Sequence, residues 1–453
     1  MSPTVDLRAV PFRLDDDQVD WVERTLAGLT VEEKVGQLFV GMYFPDPTLD
    51  PGLSASGEAD LARHGLGGIR YTGGTAAQVQ ALVNDLQGSS PIPLLVAANP
   101  ESGGDLCCEE GTYLANGAQC DASDGTEVPY RAGLVGGREA SALGVNVAFA
   151  PVVDVLVNWR NTVINTRAHG ATVDDVLRST DAQARGLRDA DPDLAVCVKH
   201  FPGDGTEERD QHLVMGVNEL HPEAWDATFG RIYAHHIAAG VEMIMAGHIA
   251  LPHYSRALDP TLTDADIQPA TLSPELIDGL LKTRLGFNGV VMTDASHMIG
   301  LTGSMRREDA VPRAIAAGCD MFLFLNDVTE DLGFMMAGVR DGTITPERLD
   351  DAVRRVLGLK ARLHLPERRA RGTLLRRPDA LAVVGCEEHL RWRDEAADRC
   401  ITLVKDTAGV LPLSPRTHRR IRLYYLEGDV RPWGRPTRPW TPSRPNSSRA
   451  ASR

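Results

Sequence analysis

Eight short apolar runs constrain this chain more than any other feature. They are VGQLFVGMY (35–43), GGIRY (67–71), PLLVAAN (93–99), VNVAFAPVVDV (145–155), LAVCVKH (194–200), VEMIMAGH (241–248), GVVMTD (289–294) and DMFLFLN (320–326). A run that is apolar on both faces suits a strand of a parallel sheet covered on both sides. The stretches between the runs are amphipathic and carry helix-start signals. Ser273-Pro274-Glu275 opens one helix, and Thr345-Pro346-Glu347 opens the last, which continues through RLDDAVRRVLGLKARL. Eight strand–helix units with right-handed crossovers predict an α/β fold, a (β/α)8 TIM-type barrel. The competing doubly wound sheet would need a Gly-rich dinucleotide fingerprint after its first strand, and none is there. No repeat of solenoid length is visible.

The barrel is expected to occupy residues 1–365. Residues 366–377 are Arg-rich (PERRARGTLLRR) and read as a linker. Residues 378–430 read as a helix, a strand and a turn, the start of a second α/β domain that stops short. That predicts a truncated or frame-shifted C-terminus. Residues 431–453 hold six Arg, five Pro, four Ser and no acid, a composition that cannot bury a core and predicts disorder.

Charge narrows the function. With 47 basic and 62 acidic residues the net charge is −15, which excludes the basic face needed to hold nucleic acid or anionic lipid. No apolar stretch reaches the length of a membrane span. The N-terminus lacks a basic segment followed by an apolar one, so a cytoplasmic protein is expected. Seven cysteines scattered over a long chain suit a reducing compartment. Cys107, Cys108 and Cys120 cluster in one polar loop, as free thiols, a local disulfide or a metal site without a nearby His at ligand spacing.

In a barrel of this kind, chemistry gathers where the strands end. Polar residues stand at most of those ends: Tyr71, Asn99 and Glu101, Asp154, Lys199 and His200, His248, Asp294 and Asn326. The densest segment is KHFPGDG (199–205) followed by Asp210-Gln211-His212. Asp210 can hold one ring nitrogen of His212 and leave the other for proton transfer, which suits general acid/base work near neutral pH. An Asp-x-His in a loop can equally be a solvated turn. Asp294, closing an apolar strand, is placed as a nucleophile or ligand, or as a cap on the following helix. Arg167 and His248 could grip hydroxyls or serve structure alone.

Six ordered segments then carry a resemblance. APVVDV (150–155), NTRAHG (165–170), KHFPGDG (199–205), AGHIALP (246–252), GFNGVVMTDA (286–295) and AIAAGCDMFLF (314–324) make residues 20–365 resemble glycoside hydrolase family 3, in its bacterial β-N-acetylglucosaminidase branch. That branch carries its Asp and His 11 and 13 residues after the Lys, as do Asp210 and His212 after Lys199. The resemblance implies a retaining exo-glycosidase that releases β-linked N-acetylglucosamine from glycosides such as cell-wall fragments. Asp294 would be the nucleophile of a covalent glycosyl-enzyme, and His212 the acid/base oriented by Asp210. Lys199, His200, Arg167, Asn99, Glu101 and His248 would bind the carbohydrate. No metal or cofactor is called for. The segment EEHLRWRDEAADRCITLVKD to LPL resembles the start of the family's second, α/β sandwich domain.

This chain departs from the family pattern twice. The segment after the third strand usually reads D-x-E-G-G, and here Asn99 replaces the Asp. The usual HG after KHFPG is here Asp204-Gly205. The rival readings are a β-glucosidase or β-xylosidase of the same family, a phosphorylase in which phosphate replaces water, and a non-catalytic sugar-binding protein. The oligomeric state is not encoded in any motif.

Overall fold

The computed structural model describes residues 4–45, 63–422 and 424. Each of the eight apolar runs contains one strand: β1 (Phe39–Tyr43), β2 (Gly68–Tyr71), β3 (Leu95–Ala98), β4 (Val147–Ala148), β5 (Ala195–Phe201), β6 (Met243–Ala246), β7 (Val290–Thr293) and β8 (Phe322–Leu323). All neighbours pair in parallel, in the order β8-β1-β2-β3-β4-β5-β6-β7. A parallel bridge between Met292 and Met321 brings β7 against β8, so the eight strands come round into a (β/α)8 barrel.

All the strands but β5 are shorter than their runs, for local reasons, and β5 ends one residue beyond its run, at Phe201. Val35 to Gln37, inside the first run, belong to the helix Val31–Gln37, which Thr30 and Glu33 close with a reciprocal capping box. The expected helix starts hold. Thr345 accepts the Arg348 amide at 3.2 Å at the head of Pro346–Arg362, and the Ser273 hydroxyl accepts the Leu276 amide at 3.3 Å. Phe39 meets Phe322 edge-on at 5.8 Å, across the pairing of the first and last strands.

The stretch expected as a linker packs on the barrel. Leu365–Ala370 is helical, Arg369 donates to the carbonyls of Gln87 and Pro91, and Arg376 pairs with Asp191. Guanidinium groups cap exposed carbonyls and pair with acids, so an Arg-rich composition alone does not mark a free segment. The helix Glu387–Cys400, expected to open a second domain, lies in the same compact unit as the barrel, which extends to Thr402. Its Ala396 joins Cys120, Val128 and Ala132 in one apolar cluster. Its His389 donates Nδ1–H to the buried Glu139 at 2.7 Å, and Glu139 also accepts from Thr112 and the Gly385 amide. Glu139→Ala strands those donors, and a loss of about 2–3 kcal/mol is expected in chemical denaturation.

Residues 403–422 and 424 belong to a separate unit with turns and neither helix nor strand among the described residues, so the strand expected after Cys400 is not formed. A lone strand has no partner to satisfy its backbone. The tail 431–453 lies outside the described residues. All seven cysteines are free, and Cys107, Cys108 and Cys120 are buried. No helix among the described residues is long and apolar enough to cross a membrane.

Candidate active site

The mouth of the barrel, at the C-terminal ends of the strands, holds a cavity of about 230 Å³. Asn99, Arg167, Lys199, His200, His212 and Asp294 line it, joined by Arg70, Thr72, Gln211 and the apolar Met42, Phe149, Met298 and Phe324. Six of the nine expected site residues therefore share one wall. Glu101, Asp210 and His248 stand behind that wall.

The end of β5 shows how local structure sets the site. In a regular strand Lys199 and His200 would point to opposite faces. The pairing of β5 with β6 shifts register between Lys199 and Phe201, and both side chains reach the cavity. Glu101 binds the Lys199 ammonium at 2.6 Å and the Arg167 guanidinium at 2.9 and 3.0 Å. Burial pushes the Glu101 carboxyl up, but these two cations outweigh it and hold the group well below the usual carboxylate range. One carboxylate thus orders two cations at the cavity edge. Asp154, fully buried, accepts His200 Nδ1–H at 2.8 Å and turns that imidazole toward the cavity.

Asp294 follows β7. Its amide donates to the Ala246 carbonyl at 2.8 Å, and one carboxylate oxygen accepts the Ala295 amide at 2.7 Å. The next helix begins only at Ile299, with Met298 as its cap residue, so Asp294 does not cap it. Burial raises the Asp294 carboxyl. His200, His248, the Ala295 amide and Lys199 together outweigh that and leave it below the ordinary range. The group is anionic at neutral pH, as a nucleophile must be.

His248 is fully buried behind Asp294, and burial lowers its basicity. Its Nε2–H donates to the Ala295 carbonyl at 3.0 Å, and its Nδ1 is hydrogen-bonded to the Thr271 hydroxyl at 2.9 Å. Both nitrogens are used, so His248 holds the backbone beside Asp294 and does not reach the cavity. His212 lies on the loop after β5, its side chain 62% exposed. Asp210 accepts both the His212 amide, at 2.9 Å, and Nδ1–H, at 2.7 Å, which leaves Nε2 for transfer.

Arg70 was missed at the level of sequence. It donates to Asn99 at 3.0 and 3.3 Å and to Thr72 at 2.7 Å. The signal was available: a charged residue inside the apolar run GGIRY has to point to the mouth. Asn99, the neutral replacement, is thus tied to a cation.

A parallel barrel with an anionic carboxylate, an imidazole–carboxylate pair and several cationic donors around one small cavity defines a barrel enzyme for polar, hydroxyl-rich substrates. The chain belongs to glycosyl hydrolase family 3, whose N-terminal domain model matches residues 30–359. It is similar to a β-N-acetylglucosaminidase/β-glucosidase of Cellulomonas fimi, 45% identical over 434 residues, 96% of this chain and 75% of that protein. Among solved structures it resembles the β-glucoside phosphorylase BglX bound to 2FGlc, with a TM-score of 0.85 and 38% identity over 90% of this chain and 72% of that one. It also resembles a family 3 β-N-acetylglucosaminidase from Paenibacillus sp. str. FPU-7, with a TM-score of 0.70 and 29% identity over 83% of this chain and 70% of that one.

Proposed function

We propose that this glycoside hydrolase is a retaining exo-glycosidase that releases β-linked N-acetylglucosamine. The observation that carries this reading is the common cavity of Asp294 and His212, with Lys199, His200 and Arg167 beside them. In the first step a carboxylate oxygen of Asp294 attacks the anomeric carbon. The bond to the leaving oxygen breaks as His212, in its imidazolium form, gives that oxygen its Nε2 proton. Asp210 stabilises the imidazolium and fixes its orientation. In the second step neutral His212 takes a proton from water, and the resulting hydroxide displaces Asp294 from the anomeric carbon. Two inversions give net retention. The relative from Cellulomonas fimi carries both N-acetylglucosaminidase and glucosidase in its name, so rates on the two chromogenic glycosides decide the sugar preference. Faster turnover of the glucoside overturns the assignment.

A second reading has support of its own. Phosphate can replace water in the second step, because a neutral imidazole repels an incoming anion less than a carboxylate does. Arg70, Arg167 and Lys199 line the same cavity. With phosphate present, a phosphorylase releases a sugar 1-phosphate, whereas a hydrolase releases free sugar whatever the phosphate concentration. Product analysis with and without phosphate separates the two.

Lys199 is proposed to hold sugar hydroxyls in ground and transition states alike. Lys199→Ala is then expected to raise KM about tenfold or more with little change in kcat, the signature of lost uniform binding. An unchanged KM removes Lys199 from this role.

A further inference from the structure

Asp204 is one of the chain's two departures from the family pattern, and it lies between two glycines whose φ values are +118° and +97°. A Cβ at Gly205 would fall 2.1 Å from the Val155 carbonyl oxygen, so the turn that places Asp204 depends on that glycine. The Asp204 side chain is buried and hydrogen-bonded through both oxygens. One oxygen accepts Asn161 Nδ2–H at 2.8 Å and the Gly205 amide at 2.5 Å, and the other accepts Gln211 Nε2–H at 2.5 Å. The Asp204 amide donates to Asp154 at 2.7 Å, the same carboxylate that holds His200.

Gln211 immediately precedes His212 and carries the connection onward. Its Oε1 accepts the His248 amide at 3.0 Å, and its backbone carbonyl accepts the Gly300 amide at 3.0 Å. The amide of Ile299 donates to the His212 carbonyl at 3.2 Å. Asp204 and Gln211 thus tie the loop bearing His212 to the ends of β5 and β6 and to the segment after Asp294. The His212 side chain itself is exposed and held in the loop by Asp210 alone among the described residues. Its position over the cavity therefore depends on how the residue before it is anchored.

We propose that Asp204 is a positioning residue: through its hydrogen bond to Gln211 it fixes the loop that presents His212 to the leaving-group oxygen. The role rests on the reading of His212 as the acid/base. It makes a reciprocal prediction. Asp204→Asn alone either sets two N–H donors face to face or, with the amide flipped, takes the acceptor from the Gly205 amide. Gln211→Glu alone presses two carboxylates together. The double change Asp204→Asn/Gln211→Glu restores every bond: the new amide donates to the new carboxylate, whose other oxygen still accepts from His248.

The test compares an alkyl glycoside, a poor leaving group, with a dinitrophenyl glycoside of the same sugar. Each single change is expected to lower kcat/KM, which reads the first step, about tenfold or more on the alkyl glycoside and to leave kcat/KM on the dinitrophenyl glycoside within about twofold. The double change should recover most of the loss. An equal fall in kcat/KM on both substrates, or a double variant no better than the singles, overturns the proposal. His212→Ala serves as the reference. If it shows no leaving-group dependence, the acid/base reading falls and the positioning role falls with it. If it does and the Asp204 variants do not, only the positioning role falls. Melting temperatures of the single variants separate a folding defect, which the double variant still tests by recovery.

Discussion

Asp294→Ala is expected to lower turnover by at least about 10⁴-fold while the protein keeps its fold, because a two-step mechanism has no route without its nucleophile. Among the described residues the carboxylate accepts one hydrogen bond, from the adjacent Ala295 amide, and the backbone amide bond to Ala246 survives the substitution. Melting temperature should therefore change little. A 2-fluoro glycoside with an activated leaving group should trap the intermediate on Asp294, readable by mass spectrometry of the labelled peptide. Label on any other carboxylate displaces Asp294 from the nucleophile's place. The pH profile follows from the same environment. The folded carboxyl is held below its ordinary range, so it stays ionised as pH falls past that range. Activity is lost only at lower pH, when the folded group protonates. Lys199→Ala removes one of the groups that hold it down and should move the acid limb of kcat/KM upward.

His212→Ala should cost roughly 10²–10⁴-fold on substrates with poor leaving groups, the usual worth of general acid catalysis. A dinitrophenyl glycoside leaves with little protonation, and its first step should be almost unaffected. Asp210→Ala should give a milder form of the same pattern, because the ring loses its orienting partner while the imidazole itself remains in place. If activated and unactivated substrates slow equally, another group at the mouth is the acid. An added small anion such as azide, attacking the glycosyl-enzyme without needing a base, should rescue the second step of His212→Ala and yield the glycosyl azide.

The barrel was legible because its strands are buried on both faces. Eight continuous apolar runs are a strong pattern, and helix caps such as Thr345 with Pro346 mark where each run gives way. The ends were less legible. The first strand begins four residues into its run because Thr30 and Glu33 cap a helix that extends through Gln37, and local capping outweighs apolar composition there. The Arg-rich segment 366–377 read as a linker because composition reports charge and says nothing of the carbonyls and acids that the arginines meet.

The candidate site divides along the same line. Spacing along the chain determined the motif residues: the imidazole–carboxylate pair at 210 and 212, the Lys–His ending of β5, and the carboxylate closing β7. These signals are local, and a single sequence carries them. Only the tertiary structure decided which of them meet. Barrel closure brought Asn99 and Asp294, 195 positions apart, and Met42 and Phe324, 282 apart, to one cavity. It turned His248 and Glu101 inward, where their partners are Ala295 and Thr271, Lys199 and Arg167. It added Arg70, and it gave Asp204 its partners in three separate segments. Those outcomes depend on the register between strands and on which donors face which acceptors across them. Such pairings arise between distant parts of the chain, so no window of sequence contains them.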